Sequence, residues 1–472
     1  MTVSSMLGAK VRALRRREGL TQKKMAERLG ISASYLNLIE HDKRPLTASL
    51  LISLAGQFDV DLASFAADND AALASDLMEV FGDRMFEEHG LTNSAVQDLA
   101  RQNPELGRAV LTLYDQYRRA REQAESLVLR VVDKQDLVSS GPLPSEEVTD
   151  FIQRRRNHFA ELEDAAEALR GEALKLASGD VGRGMVQILE GRGITVQRTP
   201  SRGSGFLRSF DPGARVLRLS ESLSSALYHF QLAHQLALLA KSEVLDALAA
   251  SADFRNDGSK ALCRMVLANY VAAAVLMPYE PFLEACRAER YDIELLSQRF
   301  GVTFESICHR MASLQRPGNE GVSFHFLKID HAGNISKRFS ASGIRFARFG
   351  GSCPKWNVSV ALLQPDRLRI QLSEMPDGKR YFCVARRVEK RTGGFRGERL
   401  IHGVGLGCLV EDASELVYAD GMDLDAMEPE AIGVSCRMCE RSNCQQRAFP
   451  SVKRGLELDE NRRWLGFYTS GG

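Results

Sequence analysis

The sequence predicts a multidomain protein. An all-α N-terminal domain leads to an α+β middle domain, then to a mostly β (α+β) C-terminal domain with a cysteine metal site. Three observations predict this. At 472 residues the chain is too long for one ordinary core. Apolar residues recur at helix spacing in the first quarter of the chain and alternate beyond residue 320. No cysteine occurs before Cys263, yet three crowd between Cys436 and Cys444. Domains are accordingly expected at 1–68, 69–144 (a helical linker or dimerisation segment), 145–318 and 319–472.

Composition narrows the class. The chain is 44% hydrophobic and 26% charged with a net charge of +1, so nucleic-acid binding would need a local basic patch. No run of eighteen apolar residues exists, so no membrane span is expected. The N-terminus lacks the apolar core of a secretory leader. A cytoplasmic location follows, where the cysteines are thiols or metal ligands rather than disulfides.

The first helix is read from Ser5 to Glu18, with Leu7, Val11 and Leu14 on one face. Thr21 is a suitable N-cap for a helix from Gln22 to Leu29, which Gly30 stops in the left-handed conformation. Ser32 caps a third helix, Ala33 to Glu40, and Ala26, Ile31, Leu36 and Ile39 form a small core between the two. A fourth helix runs through Leu50, Leu51, Leu54 and Phe58. The stretch TQKKMAERLGISASYLNLIEHDKRPLTASLLISLA resembles the Xre-type, phage-repressor-like helix-turn-helix. That resemblance implies that the second helix of the pair enters the major groove. Gln22 would then brace a phosphate, Ser32, Ser34, Tyr35 and Asn37 would face the groove, and Lys43 and Arg44 would clamp phosphate. Asn37 and Ser32 can read base edges, whereas the basic residues position. One such unit holds few phosphates, so a homodimer or higher homo-oligomer on operator DNA is expected. The segment Leu106 to Val132, marked by Leu106, Val110, Leu113, Tyr117 and Leu127, either pairs with a second copy or packs on its own domain.

The prolines and glycine of GPLPSEE break the helical pattern before the middle domain. There a charged helix, FIQRRRNHFAELEDAAEALR, precedes short strand signals at GITVQ, GFLRSF and RVLRLS. SALYHFQLAHQLALLA then resembles the helix of a zinc metallopeptidase, as LANYVAAAVLMP resembles the helix supplying its third ligand. His234 stands in the first ligand position. Gln235 replaces the catalytic acid, Leu238 the second histidine and Leu267 the third ligand. An amide is no general base and leucine binds no zinc, so a peptidase fold without proteolysis is expected. His229 is five residues from His234, on another helix face. A cleft that keeps its shape without its metal is a natural ligand pocket.

The tail shows strand patterns at VSFHFLKID, GIRFARFG, WNVSVALL, LRIQLSE, RYFCVARRV and HGVGLGCLV. In GVSCRMCERSNCQQRAFP, Cys436, Cys439 and Cys444 make a CxxCxxxxC run. Cys353, in a glycine-rich loop, is the favoured fourth ligand and Cys408 its rival. Four thiolates suit an iron–sulfur centre or zinc, and Arg437, Arg441 and Arg447 would offset the charge. Cys263, Cys286, Cys308 and Cys383 read as small buried residues. The whole combination resembles the short-chain acyl-CoA-responsive regulators of propionate and acetate metabolism. That resemblance implies a [4Fe–4S] cluster, with zinc the alternative, and an acyl-CoA effector. A coenzyme A pocket wants cations and aromatic surface. Arg192, Arg208, Arg215 and Arg218 on the strands, with His234 and with Tyr270 facing the former metal cleft, are its candidates. The expected function is transcription control by operator binding under an acyl-CoA signal, without enzymatic activity. The rivals are a metallopeptidase that cleaves a repressor partner and an antitoxin-like DNA-binding protein with no metabolite.

Overall fold

The computed structural model describes residues 8–41, 43–44, 46–58, 69–83, 85–86, 91–130, 144–200, 206–254, 257–347, 352–365, 367–391, 399–436, 439–451 and 465–466. The chain divides into two compact units, Met1–Ser126 and Leu127–Gly472.

The first unit is helical. Its leading helices are α1 (Gly8–Arg17), α2 (Gln22–Leu29), α3 (Ala33–Glu40) and α4 (Ala48–Phe58). Thr21 and Ser32 cap α2 and α3, each hydroxyl accepting an amide three residues on. Gly30 ends α2 with φ +67°, a left-handed conformation costly for any residue with a Cβ. Val11, Leu14, Met25, Ala26, Leu29, Leu36, Ile39, Leu54 and Phe58 form the core, with Ile31 partly buried against it. The expected start of the first helix at Ser5, with Leu7, lies outside the described residues. Helices α5 (Asn69–Phe81), α6 (Asn93–Gln102) and α7 (Pro104–Arg130) build a second small core on Leu73, Leu77, Val96 and Ala100. Val110 of α7 packs there, whereas Leu106, Leu113 and Tyr117 are exposed. The side chain of Leu127 lies outside the described residues.

The second unit opens with α8 (Pro144–Arg154), α9 (Ala160–Leu176) and α10 (Val181–Gly191). A three-stranded sheet follows, β1 (Thr195–Thr199), β2 (Arg208–Asp211) and β3 (Val216–Ser220), in the order β1-β3-β2. Leu217 and Leu219 bury one face in a core shared with the helices α11 (Ser225–Ala240), α12 (Ser242–Ser251) and α13 (Asp257–Leu276). Helix α13 is long and apolar enough to cross a membrane. Its apolarity serves the core instead, because Cys263, Leu267, Ala268, Val271 and Val275 are buried among α9 and α11.

Helices α14 (Tyr279–Ala288), α15 (Ile293–Phe300) and α16 (Phe304–Met311) lead to a six-stranded sheet. Its strands are β4 (His325–Asp330), β5 (Ile335–Ser340), β6 (Arg369–Glu374), β7 (Arg380–Arg391), β8 (Arg399–Leu409) and β9 (Glu430–Ala431), in the order β5-β4-β8-β7-β6-β9. All neighbours are antiparallel except β6 and β9. One face packs on α14–α16 through Phe326, Val384, Val404 and Leu406. The other packs on Trp356, Val358 and Ala361.

Two strand expectations are corrected here. WNVSVALL forms a helix, α17 (Asn357–Leu363), because Val358 and Ala361 fall one turn apart and both bury against the sheet. GIRFARFG joins no strand over its described residues. Ile344 and Phe346 turn into the same core, where Phe346 meets Trp356 edge-to-face at 5.4 Å.

Candidate functional site

Most of the residues expected to face the DNA groove lie on the surface of the helix-turn-helix. Ser32, Ser34 and Asn37 are exposed on α3, and Lys43 and Arg44 are exposed just after it. Tyr35 is only partly exposed, since its ring packs on the core. The Gln22 amide nitrogen donates to Glu40 at 2.8 Å and to Asn37 Oδ1 at 3.2 Å, which helps to position Asn37.

Glu40, which sequence reasoning missed, is the hub of this arrangement. It is 3% exposed and takes Arg15 of α1 in two bonds, at 2.5 and 3.0 Å. Burial alone would raise its carboxyl pKa, but Arg15 and Gln22 hold it below the usual range. The pair ties α1 to the end of α3 and fixes the direction of the exposed helix. No local sequence signal marks Glu40, because a terminal helical glutamate is ordinarily solvated.

Of the residues proposed for the effector, Arg208 and His234 meet, whereas Arg218 lies on the other face of the small sheet. Antiparallel register puts Arg208 opposite Leu219, on the buried face of the small sheet, and Arg218 opposite Ser209, on the outer face. Arg208 donates to Nδ1 of the buried His234. The other ring nitrogen donates to the carbonyl of Met265 at 3.2 Å, which fixes the tautomer. Burial first, then the Arg208 charge, brings the His234 pKa down to about 4. Burial likewise lowers Arg208 to about 10. Arg192 and Arg215 are exposed, and Arg215 donates to the carbonyl of Arg192.

Beside His234, Gln235 is buried, Leu238 is half-buried and Leu267 is fully buried. The metal positions have thus become ordinary core. Tyr270 is buried. Its hydroxyl donates to Glu163 at 2.5 Å. Arg310 closes this network with two bonds to Glu163, at 2.7 and 2.8 Å, and one to the carbonyl of Met277 at 2.9 Å. Arg310 and Glu163 are 1% and 6% exposed. They join α9 and α13 to α16, hence the peptidase-like helices to the helices that cover the large sheet.

The cysteines separate cleanly. Cys408 lies in the core between the large sheet and α14–α16, and Cys353 in the core on the opposite face. Backbone N–H groups of Lys355 and Gly433 donate to the Cys353 thiol, and Cys436 and Cys439 lie close enough to perturb it. Burial dominates and pushes the Cys353 pKa up to about 11. A Cβ on Gly433 would come within 3.1 Å of Cys439 Sγ, a close approach that glycine eases. Arg447 donates to the carbonyls of Cys436, Cys439 and Arg441 at 2.7, 2.8 and 2.5 Å and shapes the loop. The donor set is that of an iron–sulfur or zinc site. Among the described residues, however, no three His, Cys, Asp or Glu side chains stand in a geometry that would hold a metal ion. The loop keeps Cys353, Cys436 and Cys439 near one another without forming such a geometry. A groove of about 970 Å³ runs beside it, lined in part by Lys355, Leu363, Cys436 and Phe449.

Comparison with known proteins accords with this architecture. Residues 11–65 match the helix-turn-helix family model. Residues 189–312 match the IrrE N-terminal-like domain, a peptidase family, and residues 313–468 the short-chain fatty acyl coenzyme A regulator C-terminal domain. The chain is 38% identical to the HTH-type transcriptional regulator PrpR of Mycobacterium tuberculosis, over 96% of this chain and 93% of that protein. It is 38% identical to RamB of the same species, over 98% of each. It is 40% identical to the propionyl-CoA carboxylase regulator of Cereibacter sphaeroides, over 97% of each. A solved structure of a Mycobacterium tuberculosis transcriptional regulator superposes with a TM-score of 0.64 at 39% identity, covering 70% of this chain and all of that one. The relatives matched from end to end are regulators rather than enzymes. From its groove-facing helix to its cysteine-bearing tail, the chain belongs to the helix-turn-helix transcription regulators of the short-chain fatty acyl coenzyme A family.

Proposed function

We propose that this protein binds operator DNA through α3 and that a short-chain acyl-CoA, such as propionyl-CoA or acetyl-CoA, sets its affinity. The genes it controls would serve short-chain acyl-CoA metabolism. The observation that carries the reading is the exposed row Ser32, Ser34 and Asn37, flanked by Lys43 and Arg44 and braced by the buried Arg15–Glu40 pair. Asn37 is the base reader, and Lys43 and Arg44 hold phosphate. Two copies on a palindrome would supply the phosphate contacts that one head lacks. The exposed Leu106, Leu113 and Tyr117 of α7 are the residues we assign to their pairing.

The effector is assigned to the second unit, where a former hydrolytic helix now holds His234 against Arg208. Arg192, Arg215 and Arg218 are the cations we assign to its phosphates. Cys353, Cys436, Cys439 and Cys444 would hold a [4Fe–4S] cluster, which would brace the loop or respond to oxidants; zinc is the alternative. The location would be the cytoplasm. The test is a gel shift of an operator fragment with purified protein across micromolar acetyl-, propionyl- and butyryl-CoA. A change in affinity graded by acyl length is expected. Equal affinity with and without every acyl-CoA refutes the effector half of the proposal.

A further inference from the structure

One corner of the large sheet concentrates positive charge beyond what its acids neutralise. Lys328 of β4 and Lys337 of β5 stand directly opposite each other in the antiparallel register. Like charges so placed destabilise a sheet. Lys390 of β7 and His402 of β8 lie on the same sheet face, by their alternation with the core residues Val384 and Val404. The acid beneath them is Glu305, in the first turn of α16. It meets Lys328 at 2.8 Å and Lys390 at 2.7 Å.

The neighbouring charges are already committed. Arg386 pairs with Glu294 at 2.8 Å, and Asp330 binds the Asn334 amide at 2.9 Å. Lys337 forms no ion pair among the described residues, and neither does His309, which stacks edge-on to Phe326 at 5.4 Å. Nδ1 of His402 is buried with no hydrogen-bond partner. An inward lysine on an edge strand can serve to block edge pairing. That role accounts for Lys337 but not for the convergence of Lys328 and Lys390 on one carboxylate beside it.

We propose that Lys328, Lys337 and Lys390, with His309 and His402 on the same side of the sheet, form a basic patch that binds a small phosphoryl anion. A phosphoryl oxygen would give Lys337 the counter-charge it lacks, and His402 Nδ1 a partner. Such a group could arrive as inorganic phosphate or pyrophosphate, or as part of a nucleotide. Glu305 then competes with the ligand for Lys328 and Lys390.

This inference does not rest on the reading of α3 or on the effector assigned to the small sheet; because the bisphosphate is the nucleotide part of coenzyme A, the Lys337 variant separates this patch from that assignment. Thermal melting and titration calorimetry of the full chain are followed with pyrophosphate and separately with adenosine 3′,5′-bisphosphate, against potassium chloride of equal ionic strength. Either ligand should raise the melting temperature of the wild-type protein. Lys337→Gln, at an exposed position, should weaken binding at least ten-fold. Glu305→Gln should enlarge the ligand-induced shift, because the competing carboxylate is gone. A larger response to the bisphosphate than to pyrophosphate identifies a nucleotide as the source. No response of the wild type, an equal response of Lys337→Gln, or a smaller response of Glu305→Gln overturns the proposal. A response to duplex DNA alone does the same.

Discussion

The buried Glu163–Arg310 pair is expected to hold the peptidase-like helices against those covering the large sheet, and its removal gives a sharp test. Arg310→Met leaves the Glu163 carboxylate in the core with only the Tyr270 hydroxyl as partner. Breaking one side of such a pair costs about 3–5 kcal/mol, because the remaining charge is desolvated without compensation. For a unit of this size that is a fall in melting temperature on the order of 10 °C. Glu163→Leu should cost a similar amount by stranding Arg310. The double variant Glu163→Leu/Arg310→Met removes both charges and should recover most of the loss. At neutral pH the full coupling is present. Burial alone would raise the Glu163 pKa, but Arg310 draws it below the ordinary range. The stability it contributes is therefore present above the unfolded carboxyl pKa and is lost as pH falls through the folded value. The assay is thermal unfolding by circular dichroism at pH 7. Single-variant shifts under about 2 °C, or losses that simply add in the double variant, would refute the reasoning.

Further outcomes are expected at three other positions. His234 titrates near 6.5 when unfolded and at about 4 when folded, so acid should cost stability progressively between those values, by up to about 3 kcal/mol. His234→Gln should flatten urea midpoints over that window, and an unchanged slope would count against the buried neutral histidine. Asn37→Ala should weaken operator binding by about 1–3 kcal/mol and leave non-specific DNA unaffected. Lys43→Ala or Arg44→Ala should weaken both alike and lower the salt slope by about 1, as fluorescence anisotropy across salt concentrations would reveal. After anaerobic purification, Cys353→Ser and Cys436→Ser should lose bound iron and sulfide. Cys408→Ser should keep them, since Cys408 lies on the far side of the sheet.

How legible each part was depends on whether its cause is local. Thr21, Gly30 and Ser32 act through their own backbone, and they set the ends of α2 and α3 in the sequence as in the structure. Strands β1–β3 and most of the large sheet were readable from alternation. WNVSVALL was misread because Val-Ser-Val alternates over too short a span to separate strand from helix; the packing of Val358 and Ala361 decides it. The hydrogen-bond partners of Tyr270, Arg208 and Gln22 were not legible in the sequence. Each is claimed by a partner distant in sequence: Glu163, His234 and Glu40. The same holds for Arg310 and for the lysines around Glu305, where only the tertiary register brings like charges together. The lost zinc ligands were legible because chemistry forbids leucine that role wherever it stands.

The account's central claim is coupling between the DNA-reading helix and an acyl-CoA site. Linkage requires the coupling to be reciprocal. The most direct measurement is the dissociation constant of propionyl-CoA for the protein alone and for the protein saturated with operator. It is set beside the operator's dissociation constant with and without propionyl-CoA. The account predicts that the two ratios are equal and differ from one. An operator affinity that propionyl-CoA leaves untouched, while propionyl-CoA itself binds equally to free and DNA-bound protein, would contradict it.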